Sequence, residues 1–403
     1  MKIALVALPP LEESRTTPPL PLCYLAAFLE QQRHIVRVYD LALHRSDPQS
    51  SHLAALRAFR PQITIVAADD AADATVIAER LRTAGLVLPL TLGVRHHLPP
   101  WLASRALAEL NRLLPHASDV KKLVACGLLA LDEPLDNLPF PARHLLPLEQ
   151  YPLVTPEGEL RTPVLIGRVA RDGARTFRQP ALLGAELRSI VQEHGVCHVI
   201  LEGLALTDDR DWLYAFLSQI SHMHLGIKWE GRVSHAHLTP GLIEAMERSG
   251  CEALMFEFAA LAVLDAKHER DALIGAVRQA RDLGMRVNGH IALDPQYPSI
   301  PVVVDMSATF GLDEVRFFVP KNAEAPIDGE ESAEIAVLIA RAREHYQISR
   351  SRQYFIDRFG IRLGTMIWYV GRTGLLGRRW QCHGLCEEPS SEIMLEHGRS
   401  QGL

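Results

Sequence analysis

Short apolar runs alternate with amphipathic segments along the first 92 residues of the chain. Four of the runs predict strands, at Lys2–Leu8, Ile35–Tyr39, Ile63–Ala67 and Leu86–Leu92. Three segments carry apolar residues at helical spacing and predict helices, at Pro21–Gln32, Ser51–Phe59 and Asp73–Ala84. Strands that alternate with helices of this length form parallel sheets, so we expect a Rossmann-like first domain.

The same alternation returns between residues 161 and 346. Six strands are predicted, at Val164–Val169, His198–Glu202, Ile227–Val233, Ala253–Phe258, Arg286–Leu293 and Glu314–Val319. The helices that follow them are predicted at Leu182–His194, Trp212–Ile220, Pro240–Ser249, Asp271–Leu283, Val302–Phe310 and Ser332–His345. The chain is therefore α/β throughout. Six such units form either a partial TIM-like barrel or a doubly wound sheet, and periodicity alone does not choose between them.

A proline-rich segment separates the two regions. Six prolines lie between Pro134 and Pro156, and no helical or strand period persists there. We therefore place a linker in this segment. The predicted division is a Rossmann-like domain at 1–133, a linker at 134–160, a barrel-like domain at 161–346 and a C-terminal helical extension at 347–403.

Composition limits the class of protein. The 403 residues, 48% hydrophobic and 22% charged, are enough for two or three globular domains. The net charge of -6 gives no basic excess for a nucleic-acid partner. No stretch reaches about 18 uninterrupted apolar residues, so no transmembrane segment is predicted. The apolar N-terminus is too short for a signal peptide and the six cysteines are scattered, which favours a cytoplasmic protein with reduced thiols.

Six segments of the sequence resemble segments of a known protein family. They are Pro19–Leu29 (PLPLCYLAAFL), His34–Asp40 (HIVRVYD), Leu135–Arg143 (LDNLPFPAR), Met246–Ala253 (MERSGCEA), Leu264–Lys267 (LDAK) and Ala276–Val287 (AVRQARDLGMRV). The first two resemble the opening of a cobalamin-binding domain, the third resembles the bridge that follows it, and the last three resemble the middle of a radical-SAM barrel. The segments come in the order found in cobalamin (B12)-binding radical SAM proteins, and the similarity covers most of residues 1–345.

This resemblance implies a Rossmann-type cobalamin domain followed by a six-unit partial barrel. In the family, a C-x3-C-x2-C loop after the first barrel strand holds a [4Fe-4S] cluster, and the fourth iron of the cluster takes S-adenosylmethionine. The corresponding loop here, at Gly167–Phe177, contains no cysteine. We therefore expect a degenerate member that holds no [4Fe-4S] cluster in the usual place.

The resemblance also locates the expected cofactor contacts. Small residues and backbone near Gly93, together with the loop that ends at Pro19 and Leu20, would hold cobalamin. His96 and His97 stand where the family has a Gly-Gly-x-His turn, and only part of that pattern is present. Arg168 lies in the loop that replaces the cluster motif. Whether cobalamin or S-adenosylmethionine still binds is left open at this point.

Polar residues in the predicted barrel strands form the candidate catalytic set. They are Glu202 in the second strand, Lys228, Glu230 and Arg232 on one face of the third, Glu257 in the fourth, and Asn288 and His290 in the fifth. Polar side chains at the carboxyl ends of barrel strands meet at the mouth, where active sites are built. A small-molecule site is one interpretation. A structural Glu–Arg network inherited from an ancestral pocket is the other.

Two further groups of residues suggest metal ligands. Two His-x-His pairs, His222 with His224 and His235 with His237, flank the third predicted barrel strand at opposite ends, which argues against one shared site. Cys382, His383 and Cys386 supply three candidate ligands, whereas a structural zinc site needs four. Ordinary thiols in a C-terminal turn are the alternative.

The stretch from residue 355 to 379 is apolar and basic. Such a segment can rest on an anionic membrane or on a protein partner, or it can pack on the barrel with its arginines outward.

Three functions remain in view. The chain is a degenerate partner or regulator of an active paralogue, a cobalamin-dependent methyltransferase that uses no radical, or a metal-dependent barrel enzyme. The two enzymatic hypotheses assign proton transfer, substrate positioning or metal binding to the same residues, Glu202, Glu230, Glu257 and His290.

Overall fold

The computed structural model describes residues 1–7, 17–43, 50–68, 89–93, 135–155, 157–169, 174–234, 237–259, 267–293, 304–305, 307–319 and 329–373. Within these ranges the protein is α/β, with a four-stranded parallel sheet, a six-stranded parallel sheet and one two-stranded hairpin. None of the helices described here has both the length and the apolar character that crossing a membrane requires.

The first sheet has the strand order β2-β1-β3-β4. Its strands are β1 (Lys2–Ala7), β2 (Ile35–Asp40), β3 (Ile63–Ala68) and β4 (Pro89–Gly93), and its helices are α1 (Leu20–Gln31) and α2 (Ser50–Phe59). These elements confirm the predicted ones to within a few residues, while the predicted helix Asp73–Ala84 lies outside the described residues. Because β2 and β3 lie on opposite sides of β1, the chain changes direction across the sheet at this strand.

The second sheet has the sequential strand order β12-β11-β10-β9-β8-β5. The strands after the connector are β5 (Arg161–Leu165), β6 (Gly167–Val169), β7 (Arg175–Phe177), β8 (His198–Glu202), β9 (Lys228–Val233), β10 (Cys251–Ala259), β11 (Arg286–Ala292) and β12 (Glu314–Phe318). The helices are α3 (Pro180–His194), α4 (Arg210–Met223), α5 (Pro240–Arg248), α6 (Lys267–Asp282), α7 (Gly329–Phe359) and α8 (Ile361–Thr373). The predicted helix Val302–Phe310 is described only in part, at residues 304–305 and 307–310.

One predicted strand is divided in the structure. The run Val164–Val169 was expected to form one strand, but the chain leaves the sheet at Ile166, whose N–H donates to the carbonyl of Glu202 at 2.9 Å. Beyond it, β6 pairs antiparallel with β7. Gly203, at φ 112°, permits this path, since a side chain there would collide with the backbone of Gly167.

The helices bury one face of the six-stranded sheet. Trp229 and Phe256 of the strands pack against Leu187 of α3 and Phe216 of α4 in one continuous core. Local signals fix the helix starts. For example, the carboxylate of Asp209 accepts a hydrogen bond from the backbone N–H of Trp212 at 2.9 Å and so caps α4.

The proline-rich connector is packed rather than extended between the two sheets. It consists of short 3-10 turns, and Leu135, Leu138 and Ala142 join the core formed by β1 and α1. The hydroxyl of Tyr151 donates to Asp40 at 2.8 Å. The six-stranded sheet begins at Arg161, the first residue after the predicted linker.

Four buried polar residues join the connector to both sheets. Glu186 of α3 is completely buried and pairs with Arg178 at 2.5 Å and with Arg143 at 2.8 Å. Arg178 also donates to the hydroxyl of Tyr24 on α1 at 3.1 Å. We call Tyr24, Arg143, Arg178 and Glu186 the junction cluster. Charges buried to this degree remain in the core only because they are paired with each other.

The last helices extend past the predicted end of the barrel-like domain. α7 runs without a break from Gly329 to Phe359, through the predicted boundary between residues 346 and 347. The predicted helix Ser332–His345 is therefore the first half of a longer one. Gly360, at φ 78°, ends α7, and α8 begins at the next residue.

Candidate functional site

The face of the six-stranded sheet opposite the helices is polar. Side chains alternate along a strand, so residues on either side of buried Val199, Trp229 and Val287 point to this face. We call it the polar face, and it carries Arg161, His198, Glu202, Lys228, Glu230, Arg232, Glu257, Arg286, Asn288, His290 and Arg316. The structure divides these residues between the two ends of the strands.

Arg232 and Glu257 form an ion pair at the carboxyl end. The guanidinium Nη1 lies 2.6 Å from the carboxylate Oε2. Arg232 also donates to the carbonyl of Gly203, in the loop after β8. The side chains of Arg232 and Glu257 are 31% and 40% exposed, so solvent or a ligand can reach the pair.

His290 lies beside this pair. It stands opposite Glu257 on β10 and opposite Arg316 on β12. Its Nε2 is buried and has no hydrogen-bond partner among the described residues. Burial lowers the pKa of His290 to about 4, and the positive charge of Arg316 acts in the same direction. The imidazole is therefore neutral near pH 7 and offers an unused ring nitrogen.

These four residues, Arg232, Glu257, His290 and Arg316, make up the carboxyl-end cluster. Arg316 was missed in the sequence, although the alternation along the predicted strand Glu314–Val319 places it on the same face as His290. Glu202 also ends its strand at this edge, next to Leu165 of β5. The structure thus brings Glu202, Arg232, Glu257 and His290 to one end of the sheet.

Glu230 does not join them, which corrects the expectation that the candidate carboxylates meet at one mouth. Its carboxylate lies 2.8 Å from Arg161 and 3.9 Å from Arg286. Its register partner on β10 is Ala253, four residues before Glu257, or about 13 Å along the strand. The prediction failed because two side chains on the same face of a sheet can still lie at opposite ends of its strands.

A second group of charges surrounds Glu230 at the amino end. His198 lies 2.6 Å from Glu159 and 3.2 Å from Glu252, and Lys228 is 3.8 Å from Glu252. We call Arg161, His198, Lys228, Glu230, Glu252 and Arg286 the amino-end cluster. They line a shallow cleft in which every carboxylate faces a basic side chain. Polar residues at the amino ends of barrel-type strands are usually concerned with stability.

Four of the expected cofactor contacts, Pro19, Leu20, Gly93 and Arg168, lie in the described residues. The carbonyl of Pro19 accepts the first hydrogen bonds of α1, and Leu20 is buried. Gly93 is the last residue of β4. His96 and His97 lie outside the described residues. Arg168 belongs to the β6–β7 hairpin, opposite Thr176.

The donor set in the described residues does not fit an iron–sulfur cluster. Burial raises the pKa of Cys23 to about 12 and also raises the pKa of Cys251, so both thiols are protonated. They lie on α1 and β10, and the third described cysteine, Cys197, directly precedes β8. No group of three His, Cys, Asp or Glu able to hold a metal occurs in the described part of the chain. His235, Cys382, His383 and Cys386 fall outside it.

No protein-family model matches the sequence, and no curated protein matches it. Solved structures do match by fold. The radical S-adenosylmethionine methyltransferase TsrM from Kitasatospora setae, solved with tryptophan substrate and a SAM analogue, has a TM-score of 0.53 at 13% identity. The match covers 78% of this chain and 72% of that chain.

Two further structures extend the comparison. TsrM with cobalamin and a [4Fe-4S] cluster has a TM-score of 0.52 at 11% identity, covering 78% of this chain and 74% of that one. The cobalamin-dependent S-adenosylmethionine radical enzyme OxsB has a TM-score of 0.50 at 12% identity. That match covers 86% of this chain but 56% of OxsB. The chain therefore shares its fold with cobalamin-dependent radical SAM enzymes.

Proposed function

We propose that the chain is a degenerate relative of the cobalamin-dependent radical SAM enzymes. In this proposal it consists of a Rossmann-like domain and a partial six-unit barrel, retains a corrinoid or S-adenosylmethionine pocket, holds no [4Fe-4S] cluster, and serves as partner or regulator of an active paralogue. The sequential order of the six parallel strands supports the barrel layout.

The observation that carries this proposal is the β6–β7 hairpin. A cluster loop must place three thiolates around a compact inorganic core. Residues 167–177 supply none, and the chain there closes on itself through the pairing of Arg168 with Thr176. The close approach of Gly203 to Gly167 fixes the base of this hairpin against the sheet.

The described edge of the first sheet is compatible with cobalamin. Strands β1, β3 and β4 end on the small residues Ala7, Ala68 and Gly93. In open α/β sheets, ligands bind outside these ends, at the point where the strand order reverses, which here is β1. When bound, cobalamin supplies a methyl group for transfer.

Anaerobic reconstitution with iron and sulfide tests the absence of the cluster. We expect the purified protein to remain without cluster absorption and without stoichiometric iron after desalting. A matched sample in which Cys382 and Cys386 are changed to Ser excludes donation from the C-terminal segment. A brown native protein with cluster absorption would contradict the proposal.

A second candidate function is polar methyl transfer without radicals. The observation that favours it is the buried, unpartnered Nε2 of His290, next to the Arg232–Glu257 pair. A neutral imidazole can accept or donate a hydrogen bond to a neutral substrate, and Arg232 can hold a negatively charged substrate group. In this candidate function, Glu257 receives the proton that the nucleophile loses as it is methylated.

Substrate-dependent demethylation of methylcobalamin measures this activity directly. Turnover that falls strongly in His290→Gln and Glu257→Gln, with retention of bound corrinoid, supports methyl transfer. Equal turnover in the native protein and both variants would remove this candidate. The metal-dependent alternative has weaker support, because Glu230 and Glu257 lie at opposite ends of the sheet.

A further inference from the structure

Exposed hydrophobic side chains are concentrated at the end of the described chain. Seven of the thirteen large hydrophobic residues that are exposed in the described ranges lie between residues 354 and 370. These seven are Tyr354, Phe359, Ile361, Leu363, Met366, Tyr369 and Val370. The other six are scattered over the rest of the described chain. Isolated exposed apolar residues need no explanation, but a contiguous group marks an interaction surface.

The way α8 folds back on α7 creates this surface. Gly360 has a positive φ of 78° and lets the chain reverse between the helices. Gly364 lies so close to the carbonyl of Phe355 that a side chain would not fit there. One side of α8 is therefore pressed against α7, while Leu363, Met366 and Val370 remain 47–60% exposed at i, i+3 and i+7 of the helix.

The same surface is basic in a protein that is acidic overall. Arg358 and Arg362 are exposed and form no ion pair with any described residue. Asp357 is the only acidic residue in the sequence from 355 to 379, which contains five arginines. The Asp357 carboxylate accepts a hydrogen bond from Gln353 at 2.7 Å. Local charge is thus strongly positive against a net charge of -6 for the chain.

We propose that the α8 surface, formed by the seven exposed residues with Arg358 and Arg362, binds an anionic lipid bilayer. Amphipathic helices with basic and aromatic residues insert their apolar side at the level of the headgroups, and nearby anionic lipid attracts the arginines. A two-fold symmetric contact with a second copy of the chain would bring the same surface of both copies together, so two positively charged surfaces would face each other. Charge complementarity therefore favours the bilayer over a dimer.

Vesicle flotation with the full-length chain tests the proposal. We expect binding to vesicles of equal parts phosphatidylglycerol and phosphatidylcholine, and none to phosphatidylcholine alone. Each arginine near the surface contributes about a fivefold change in partition, so Arg358→Glu with Arg362→Glu should lower it by roughly twentyfold or more. Met366→Glu should also lower it. The matched control is Arg188→Glu with Arg248→Glu, exposed arginines on α3 and α5, which should bind normally.

Four results would overturn the proposal. The first is no binding of the native chain to anionic vesicles. The second is an equal loss of binding in the control variant, which would indicate non-specific attraction. The third is a concentration-dependent dimer that Met366→Glu abolishes, without vesicle binding. The fourth is binding only after Glu387, Glu388, Glu392 and Glu396 are changed to Gln, which would show that the acidic end of the chain covers the surface instead.

Discussion

The two ends of the polar face use the same residue types differently. At the amino end, Arg161 and Glu230 are 6% and 15% exposed and closely paired. At the carboxyl end, Arg232 and Glu257 are 31% and 40% exposed, and His290 beside them has a buried nitrogen without a partner in the described residues. The difference indicates that the amino end contributes to stability, whereas the ion pair at the carboxyl end is accessible to solvent or a ligand.

The junction cluster extends this comparison to complete burial. Its carboxylate, Glu186, is 0% exposed and lies between two arginines. The three carboxylates Glu186, Glu230 and Glu257 therefore form a series of decreasing burial. If burial determines their role, the loss of stability on substitution should decrease from Glu186 to Glu257. The loss of ligand binding should increase in the same order.

The largest effect is expected at Glu186. Glu186→Ala leaves Arg143 and Arg178 buried without their shared partner, which should lower the free energy of unfolding by about 3–5 kcal/mol. Urea denaturation measures it. Glu193→Ala, on the exposed side of the same helix, is the control and should cost less than about 0.5 kcal/mol. A loss at Glu186 as small as that of the control would show that the cluster is not stabilising.

An intermediate effect is expected at Glu230. Glu230→Ala removes a charged hydrogen bond to the nearly buried Arg161, and we expect a loss of about 2 kcal/mol. The double variant with Arg161→Ala should lose less than the sum of the single variants, because both remove the same interaction. Strict additivity in denaturation experiments would mean that the pair is not coupled, and the amino end would then need another explanation.

A pH-dependent effect is expected at His290. Its folded-state pKa of about 4 lies below the usual value of 6.5, so the unfolded chain binds more protons between these values. The neutral His290 does not lower the free energy of unfolding above pH 6.5. The free energy of unfolding decreases as the pH falls from 6.5 toward 4. His290→Leu should therefore make stability less dependent on pH in this window. Denaturation curves across the window measure the slope, and an unchanged slope would contradict a buried neutral imidazole.

The smallest effect on stability is expected at Glu257. Exposed ion pairs contribute about 0–1 kcal/mol, so Glu257→Ala should unfold nearly as the native protein does. Any ligand that uses the carboxyl-end cluster should nevertheless bind more weakly. A large loss of stability would mean that this pair is as structural as the one at Glu230, and the distinction between the two ends would disappear.

Much of the fold could be predicted because hydrophobic periodicity is local. The strand His198–Glu202 was placed correctly from its alternation, and most other elements to within a few residues. The hairpin was missed because the change of partner at Ile166 depends on Gly203, which is distant in sequence. The full length of α7 was missed because polar residues after His345 continue the helix without an apolar period.

The arrangement of the candidate site could be predicted only in part from the sequence. A period of two residues assigns Glu230 and Glu257 to a face, but the end of the sheet on which each lies depends on strand register. That register shifts between Cys251 and Ala253, where β10 pairs irregularly with β9. The unpartnered nitrogen of His290 is a property of three-dimensional packing and leaves no trace in the sequence.

The central proposal, in its corrinoid form, is that the chain has the fold of the cobalamin-dependent enzymes, binds a corrinoid and holds no cluster. The most direct measurement is the absorption spectrum of the protein after incubation with hydroxocobalamin and desalting, with iron measured on the same sample. The account predicts retained corrinoid near one equivalent and no stoichiometric iron. A protein that retains no corrinoid would contradict the claim, and so would a protein that carries stoichiometric iron and cluster absorption.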